Sequence, residues 1–461
     1  MREVYSHAQV TIAATAAENA RKGLFFDRKN PRLAPVQVVV SWKADPLPTS
    51  SDAQPTFFFE PGTYFVIDSG TELTDVDAAP LNSRAWAVQE RYLSTRIMHF
   101  GQVLYWECPE LLASEVHPRG IPSIFTCHFD GFAALKSRSL ARRSNLFQFY
   151  QQPDTAALED TNSEATLGIY GHWLRLRNKY SRCERTRDDD LLIALLGMAM
   201  DVAEMLYTTP SGQRQFANPL TMHTIFIAGM WKLFMIEELC WRINNHDKDA
   251  FRRPKRHQAP TWSWASSTNP THGSTYRTTY SAFSDREPAD IVRMFMIKPE
   301  DVGKLMQLCT VRYSAEVTDV QVNTSKLEDA ANGHVRLKCR PFLAKVRLTP
   351  NHDIGAFVNP LLPDNSTLDL QAPGHAITFD SYIDTDEAEM QVTVVSLLYV
   401  SNDDMGFRGV EGLILQASTQ CKGSYERIGH FSSGNPQDPH VPSGWVWARH
   451  EEAAEMEITI V

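Results

Sequence analysis

LNSRAWAVQERYLSTR, residues Leu81–Arg96, decides how the rest of the chain is read. Asn82 stands where its side-chain oxygen can accept from the free amides of a first helical turn, so the spacing predicts a helix from Ser83 to Tyr92. Trp86 and Glu90 are four residues apart and Gln89 three from Trp86, which projects an indole, an amide and a carboxylate from one face. Arg84 and Arg91 are the available counter-charges. A carboxylate beside an aromatic ring in a cleft can act as a general base or hold a ribose hydroxyl. The plainer reading places Trp86 and Leu93 in the core and pairs Glu90 with an arginine. Arg84, Trp86, Gln89 and Glu90 are therefore the candidate binding residues, and Glu90 is the one catalytic candidate.

Upstream of this helix, Gln9–Thr15 reads as a short buried strand, and Lys43–Pro80 as a loop-rich insertion with one or two strands around Phe57–Phe59 and Tyr64–Ile67. Downstream, a helical stretch is expected over 137–247. In it Trp173, Leu174, Leu176 and Tyr180 share an amphipathic pattern, and Asp188, Asp189 and Asp190 sit at the positive end of a helix Leu191–Tyr207. Ile225–Ile243 is apolar almost all round and is expected to be the central helix. It carries Lys232, Glu237, Glu238 and Arg242, which argue against a membrane span. After Pro254 the period changes to two. Trp262 and Trp264 alternate with Ser263, a strand pattern in which the rings are structural, and 311–317, 335–339, 391–400, 412–417 and 458–461 read as further strands. Pro341 marks a bulge or edge. The expected fold class is α+β, with regions 1–110, 111–258 (mainly helical) and 259–461 (mainly antiparallel β, a sandwich or barrel-like unit).

The 461 residues carry 45 Lys and Arg against 55 Asp and Glu, a net charge of −10. An acidic chain disfavours bulk nucleic-acid binding and adhesion to anionic membranes. The N-terminus has no apolar leader, so a cytoplasmic protein is expected. Its 7 cysteines are odd in number and lack any C-x-x-C spacing, which points to packed thiols and to no metal. Cys127, His128 and Asp130 read as a loop, Arg252–His257 as a solvated linker, and the sequons at Asn323 and Asn365 as chance matches. No glycine-rich phosphate loop, nucleophile elbow or H-E-x-x-H pair occurs, so no cofactor is implied.

The ordered series of segments resembles one known family. Val4–Ala8 running into Val10–Ala16 and then Gly23-Leu24-Phe25 is similar to the later part of the fungal heterokaryon-incompatibility (HET) domain. Leu81–Arg96, with Arg-x-Trp-x-x-Gln-Glu at its centre, resembles that domain's closing segment, continuing to His99-Phe100-Gly101 and Trp106-Glu107-Cys108. Asp190–Gly197, Ala228–Trp231, Ala259–Ser266, Tyr425–Gly429 and Ile458–Val461 are similar to the region that commonly follows, while Lys43–Pro80 and Thr268–Glu300 are the least typical. The family's upstream aromatic-Ala-Leu-Ser-Tyr-x-Trp-Gly and Trp-Ile-Asp-x-x-Cys-Ile-Asn-Gln segments do not occur. The expectation is a HET domain lacking its N-terminal half. The resemblance implies fungal non-self recognition and regulated cell death, akin to innate immunity, through protein partners, and a distant likeness to Toll/interleukin-receptor domains. It leaves open an NAD-cleaving enzyme of that type and a truncated scaffold or incomplete gene model.

Overall fold

In a computed structural model the chain divides into two compact units, 1–150 with 285–303, and 151–284 with 304–461. The structure describes residues 2–26, 36–42, 61–66, 76–121, 164–185, 190–207, 222–243, 259–267, 271–272, 310–322, 333–348, 354–357, 377–380, 389–402, 407–434 and 449–461. The Cys127–Asp130 loop, the Arg252–His257 linker and both sequons lie outside them.

In the first unit, helix α1 (Arg2–Ser6) precedes β1 (Thr11–Ala13), a hairpin of β2 (Val36–Val40) and β3 (Gly62–Val66), helix α2 (Ala85–Leu93), and the strands β4 (Ile97–Phe100), β5 (Leu104–Glu107) and β6 (Leu112–Ser114). The sheet order is β1-β4-β5-β6. β1 runs parallel to β4, with Thr11 opposite Ile97, and the remaining pairs are antiparallel. A parallel pair needs a crossover, and α2 supplies its last segment, turning directly into β4. The strand expected over 9–15 is shorter and less buried than its apolar residues suggest. It occupies an edge, and Ile12 is 60% exposed. The expected helix is present but starts two residues later. Pro80–Ser83 is a 3-10 turn, and extended Arg84 separates it from α2 and serves as its cap without a side-chain bond. Asn82, read as that cap, is buried instead, its amide donating to Val76 O at 2.6 Å.

The second unit opens with α3 (Glu164–Ser181) and α4 (Leu191–Leu206), which contact each other. Leu191, Ala194, Leu195, Met198, Val202 and Leu206 form the buried stripe of α4 at the helical period. Among the described residues, no helix is long and apolar enough to cross a membrane.

The single central helix expected over 225–243 does not form. The segment breaks into α5 (Met222–Ile225), β7 (Phe226–Ile227), β8 (Met230–Trp231), a 3-10 turn, α6 (Met235–Leu239) and β9 (Arg242–Ile243). β7 and β8 are a hairpin whose two-residue turn holds Ala228 at φ 50° and Gly229 at φ 85°, the left-handed geometry that such turns require. The segment is nonetheless core. Trp231 and Phe226 pack on Trp173, and Tyr170 stacks on Phe234 at 3.9 Å. Its buried Glu238 pairs with Arg177. The expected Trp262–Trp264 strand is instead a 3-10 turn capped by Ser263.

After β10 (Thr271–His272), the strands β11 (Thr310–Tyr313), β12 (Glu316–Val322), β13 (Gly333–Cys339), β14 (Phe342–Leu348), β15 (Ile354–Phe357), β16 (Ile377–Phe379), β17 (Glu389–Asn402), β18 (Phe407–Ala417), β19 (Tyr425–Gly434) and β20 (Met456–Ile460) follow. β17 pairs with β14, β14 with β15, β15 with β16, β16 with β19, β19 with β18, and β18 back to β17, all antiparallel. Those strands close a barrel, which leaves no edge within the ring. Phe342, Val346, Phe379, Val394, Ile414 and Phe431 are among the side chains that fill it. β11 extends from β17, and β20, β13 and β12 extend from β19. Pro341 falls between β13 and β14, which sit apart in the sheet.

Candidate functional site

Helix α2 is buried on most of its circumference. Val88, Gln89, Arg91, Tyr92 and Leu93 all face inward, so a charged residue is enclosed with the apolar ones. Arg91 is accommodated because two carboxylates meet it: Nε donates to Glu107 Oε2 at 2.7 Å and a terminal nitrogen to Asp77 Oδ1 at 2.6 Å. Burial opposes its charge, but Glu107 and Asp77 outweigh that effect and hold the guanidinium more firmly protonated than usual. The network continues along β4. His99 Nε2 is 3.2 Å from the same Glu107 oxygen, and His99 Nδ1 is 2.9 Å from Thr15 Oγ1 beyond β1. Thr11 and Ser94 hydroxyls, 2.8 Å apart, tie β1 to the end of α2.

The outward stripe of α2 consists of half-buried Trp86 and Glu90, with exposed Arg84 at the helix start. Among the described residues, no ion pair joins Glu90 to an arginine. Its partner is the Tyr5 hydroxyl of α1, whose pKa is pushed up to about 12 by burial first, then by the Glu90 charge and hydrogen bond. Trp86 and Glu90 thus share the outer stripe, whereas Gln89 turns into the core and Arg91 serves the inner network. Leu93 is fully buried, as a core residue should be.

Thr15, Asp77, His99, Glu107 and Tyr5 were not singled out by spacing, because they converge from five separate segments. One signal was available: in Ile97–Phe100 the alternation places His99 on the buried face with Ile97.

In the second unit, Trp262, Ser263 and Trp264 act as fasteners. Trp264 Nε1 donates to Gly229 O at 2.9 Å and Ser263 Oγ to Ala228 O at 2.6 Å, so the turn pins the β7–β8 hairpin by both of its left-handed residues. Trp262 O accepts from Trp241 Nε1 at 2.9 Å.

Residues 1–90 match the family model described as heterokaryon incompatibility protein (HET). That stretch of the chain, its first 90 residues, is similar to the HET domain. No curated protein and no solved structure matches it. The HET match takes in Tyr5, Thr15, Asp77 and α2 as far as Glu90. Arg91, His99 and Glu107, which complete the buried network, follow directly after it.

Proposed function

We propose that this protein acts in fungal non-self recognition and regulated cell death, in the cytoplasm, through protein contacts made by the outer stripe of α2. The observation that carries the reading is the composition of that surface within the HET match: Tyr5, Arg84, Trp86 and Glu90. Tryptophan, tyrosine and arginine are the residues that dominate protein-interface energetics. Behind them the charges of Arg91, Asp77 and Glu107 are committed to one another, which suits a rigid support more than a site with a group to spare for chemistry.

The hairpin β2–β3 supports the same reading. Val36, Val39, Phe65 and Val66 are each more than half exposed, an apolar surface of the kind that marks interaction sites. The parallel β1–β4 pair, reached through α2, supports a Toll/interleukin-receptor-like character for the region 1–110.

The test is induced expression of the full chain in a fungal host. Growth arrest is expected with the wild type and not with Trp86→Ala at equal amounts of folded protein. Unimpaired growth with folded wild-type protein contradicts an effector role.

A further inference from the structure

Three chemically matched side chains meet on the outer face of the barrel in the second unit. Cys240 follows α6, Glu411 lies on β18 and His430 on β19, and each is about 1% exposed. His430 is paired with Leu413, and Gly412 with Phe431 of the barrel interior, so Glu411 and His430 share the outward face on a diagonal. A sulfur, a carboxylate oxygen and a ring nitrogen of the three all lie within 4.8 Å of one another. His430 Nε2 makes no hydrogen bond among the described residues, and Glu411 Oε1 is 3.9 Å from it. An enclosed imidazole nitrogen left that way is destabilising unless something else occupies its lone pair.

Each of the three is also held in place by its neighbours. Arg427 donates to Leu239 O at 2.6 Å and to Trp241 O, the carbonyls on either side of Cys240, with its Cζ 3.6 Å from the centroid of the Trp241 ring and Asp380 completing its charge. Gly412 adjoins Glu411, and a Cβ there would lie 2.1 Å from Val395 O. Gly429 adjoins His430, and a Cβ there would lie 2.7 Å from Thr378 O. Backbone positions this constrained present side chains in one geometry, as a ligand set requires.

We propose that Cys240, Glu411 and His430 bind a divalent cation of the zinc class. Thiolate, imidazole and carboxylate are the ligand types that zinc prefers, and three protein ligands leave a fourth tetrahedral position open. Tetrahedral zinc places such ligand atoms about 3–4 Å apart, so side-chain adjustments of about 1 Å close the site. On binding, the Cys240 thiol gives up its contact with Ile236 O and releases its proton to solvent, and the thiolate and Glu411 together cancel the metal charge. Half-exposed Arg242, 4.0 Å from Glu411 Oε1, can swing into water as the cation enters. The site was not legible in the sequence, where Cys240 reads as an ordinary core thiol.

Titrating the full chain with cobalt(II) tests the site. Expected are binding of about one ion per chain, intense tetrahedral d–d bands and a thiolate-to-cobalt charge-transfer band. Cys240→Ser should abolish the charge-transfer band, and His430→Ala and isosteric Glu411→Gln should each weaken cobalt binding by more than about tenfold. Cys339→Ser, at another buried thiol, should change nothing. A folded wild-type chain without these bands at saturating cobalt, or bands that persist unaltered in folded Cys240→Ser or Glu411→Gln, overturns the proposal.

Discussion

Arg91 on α2 donates to Glu107 on β5 at 2.7 Å, with both side chains nearly inaccessible to solvent. That bond, extended to Asp77 on one side and His99 on the other, locks the helix carrying the proposed contact face onto the sheet beneath it.

Removing the cation leaves the Glu107 carboxylate buried without compensation, the costly way to break an ion pair, while Asp77, part exposed, can turn to water. Arg91→Ala should destabilise the first unit by about 3–5 kcal/mol. Arg91→Lys should recover only part of this, because an ammonium cannot donate from the Nε and terminal positions together. Denaturant midpoints of the first unit's transition check both, and a change under about 1 kcal/mol for Arg91→Ala would show the pair to be inessential.

The main elements were legible where one period dominates. β13 alternates as Val335, Leu337 and Cys339 imply, and α3 and α4 bury the stripes their spacing indicates. Ile225–Ile243 misleads because a buried helix and a chain of short buried strands have the same composition. What decides it is local, the left-handed pair Ala228-Gly229, and also remote, since the indole and hydroxyl that hold those carbonyls come 35 residues later. At the site, the spacing put Trp86, Gln89 and Glu90 on one face; Trp86 and Glu90 are half-buried, while Gln89 is buried. Spacing could not foresee Tyr5 as the partner of Glu90, nor the convergence on Arg91, because those contacts are tertiary.

Tyr5 carries a pH signature. Its folded-state pKa of about 12 lies above the ordinary value of 10.0, so the native state holds the phenolic proton more tightly than the unfolded chain. Its contribution to stability is complete below pH 10 and is lost as pH rises toward about 12. The stability difference between wild type and Tyr5→Phe should therefore shrink across that window, and Glu90→Gln should lower the Tyr5 pKa. A difference independent of pH would contradict the Tyr5–Glu90 bond.

Trp264→Phe keeps an aromatic ring but removes the donor to Gly229 O. A buried carbonyl deprived of its partner costs about 1–3 kcal/mol, so the second unit should unfold at correspondingly lower denaturant. Gly229 cannot compensate by side-chain addition, since a Cβ there would lie 2.9 Å from Leu192 Cδ2. An unchanged midpoint would mean that the indole hydrogen bond does not hold the hairpin.

The most direct test of the contact-face account uses Arg84, because it is exposed and its side chain makes no capping bond. Charge reversal at such a position changes stability by less than about 0.5 kcal/mol, so any loss of effect reports on contact and not on folding. The measurement is the count of viable fungal cells after induced expression of wild type and Arg84→Glu at matched protein levels. The account predicts survival at least about tenfold higher for Arg84→Glu, as expected when an interface residue is reversed. Killing by Arg84→Glu at the wild-type level would contradict it.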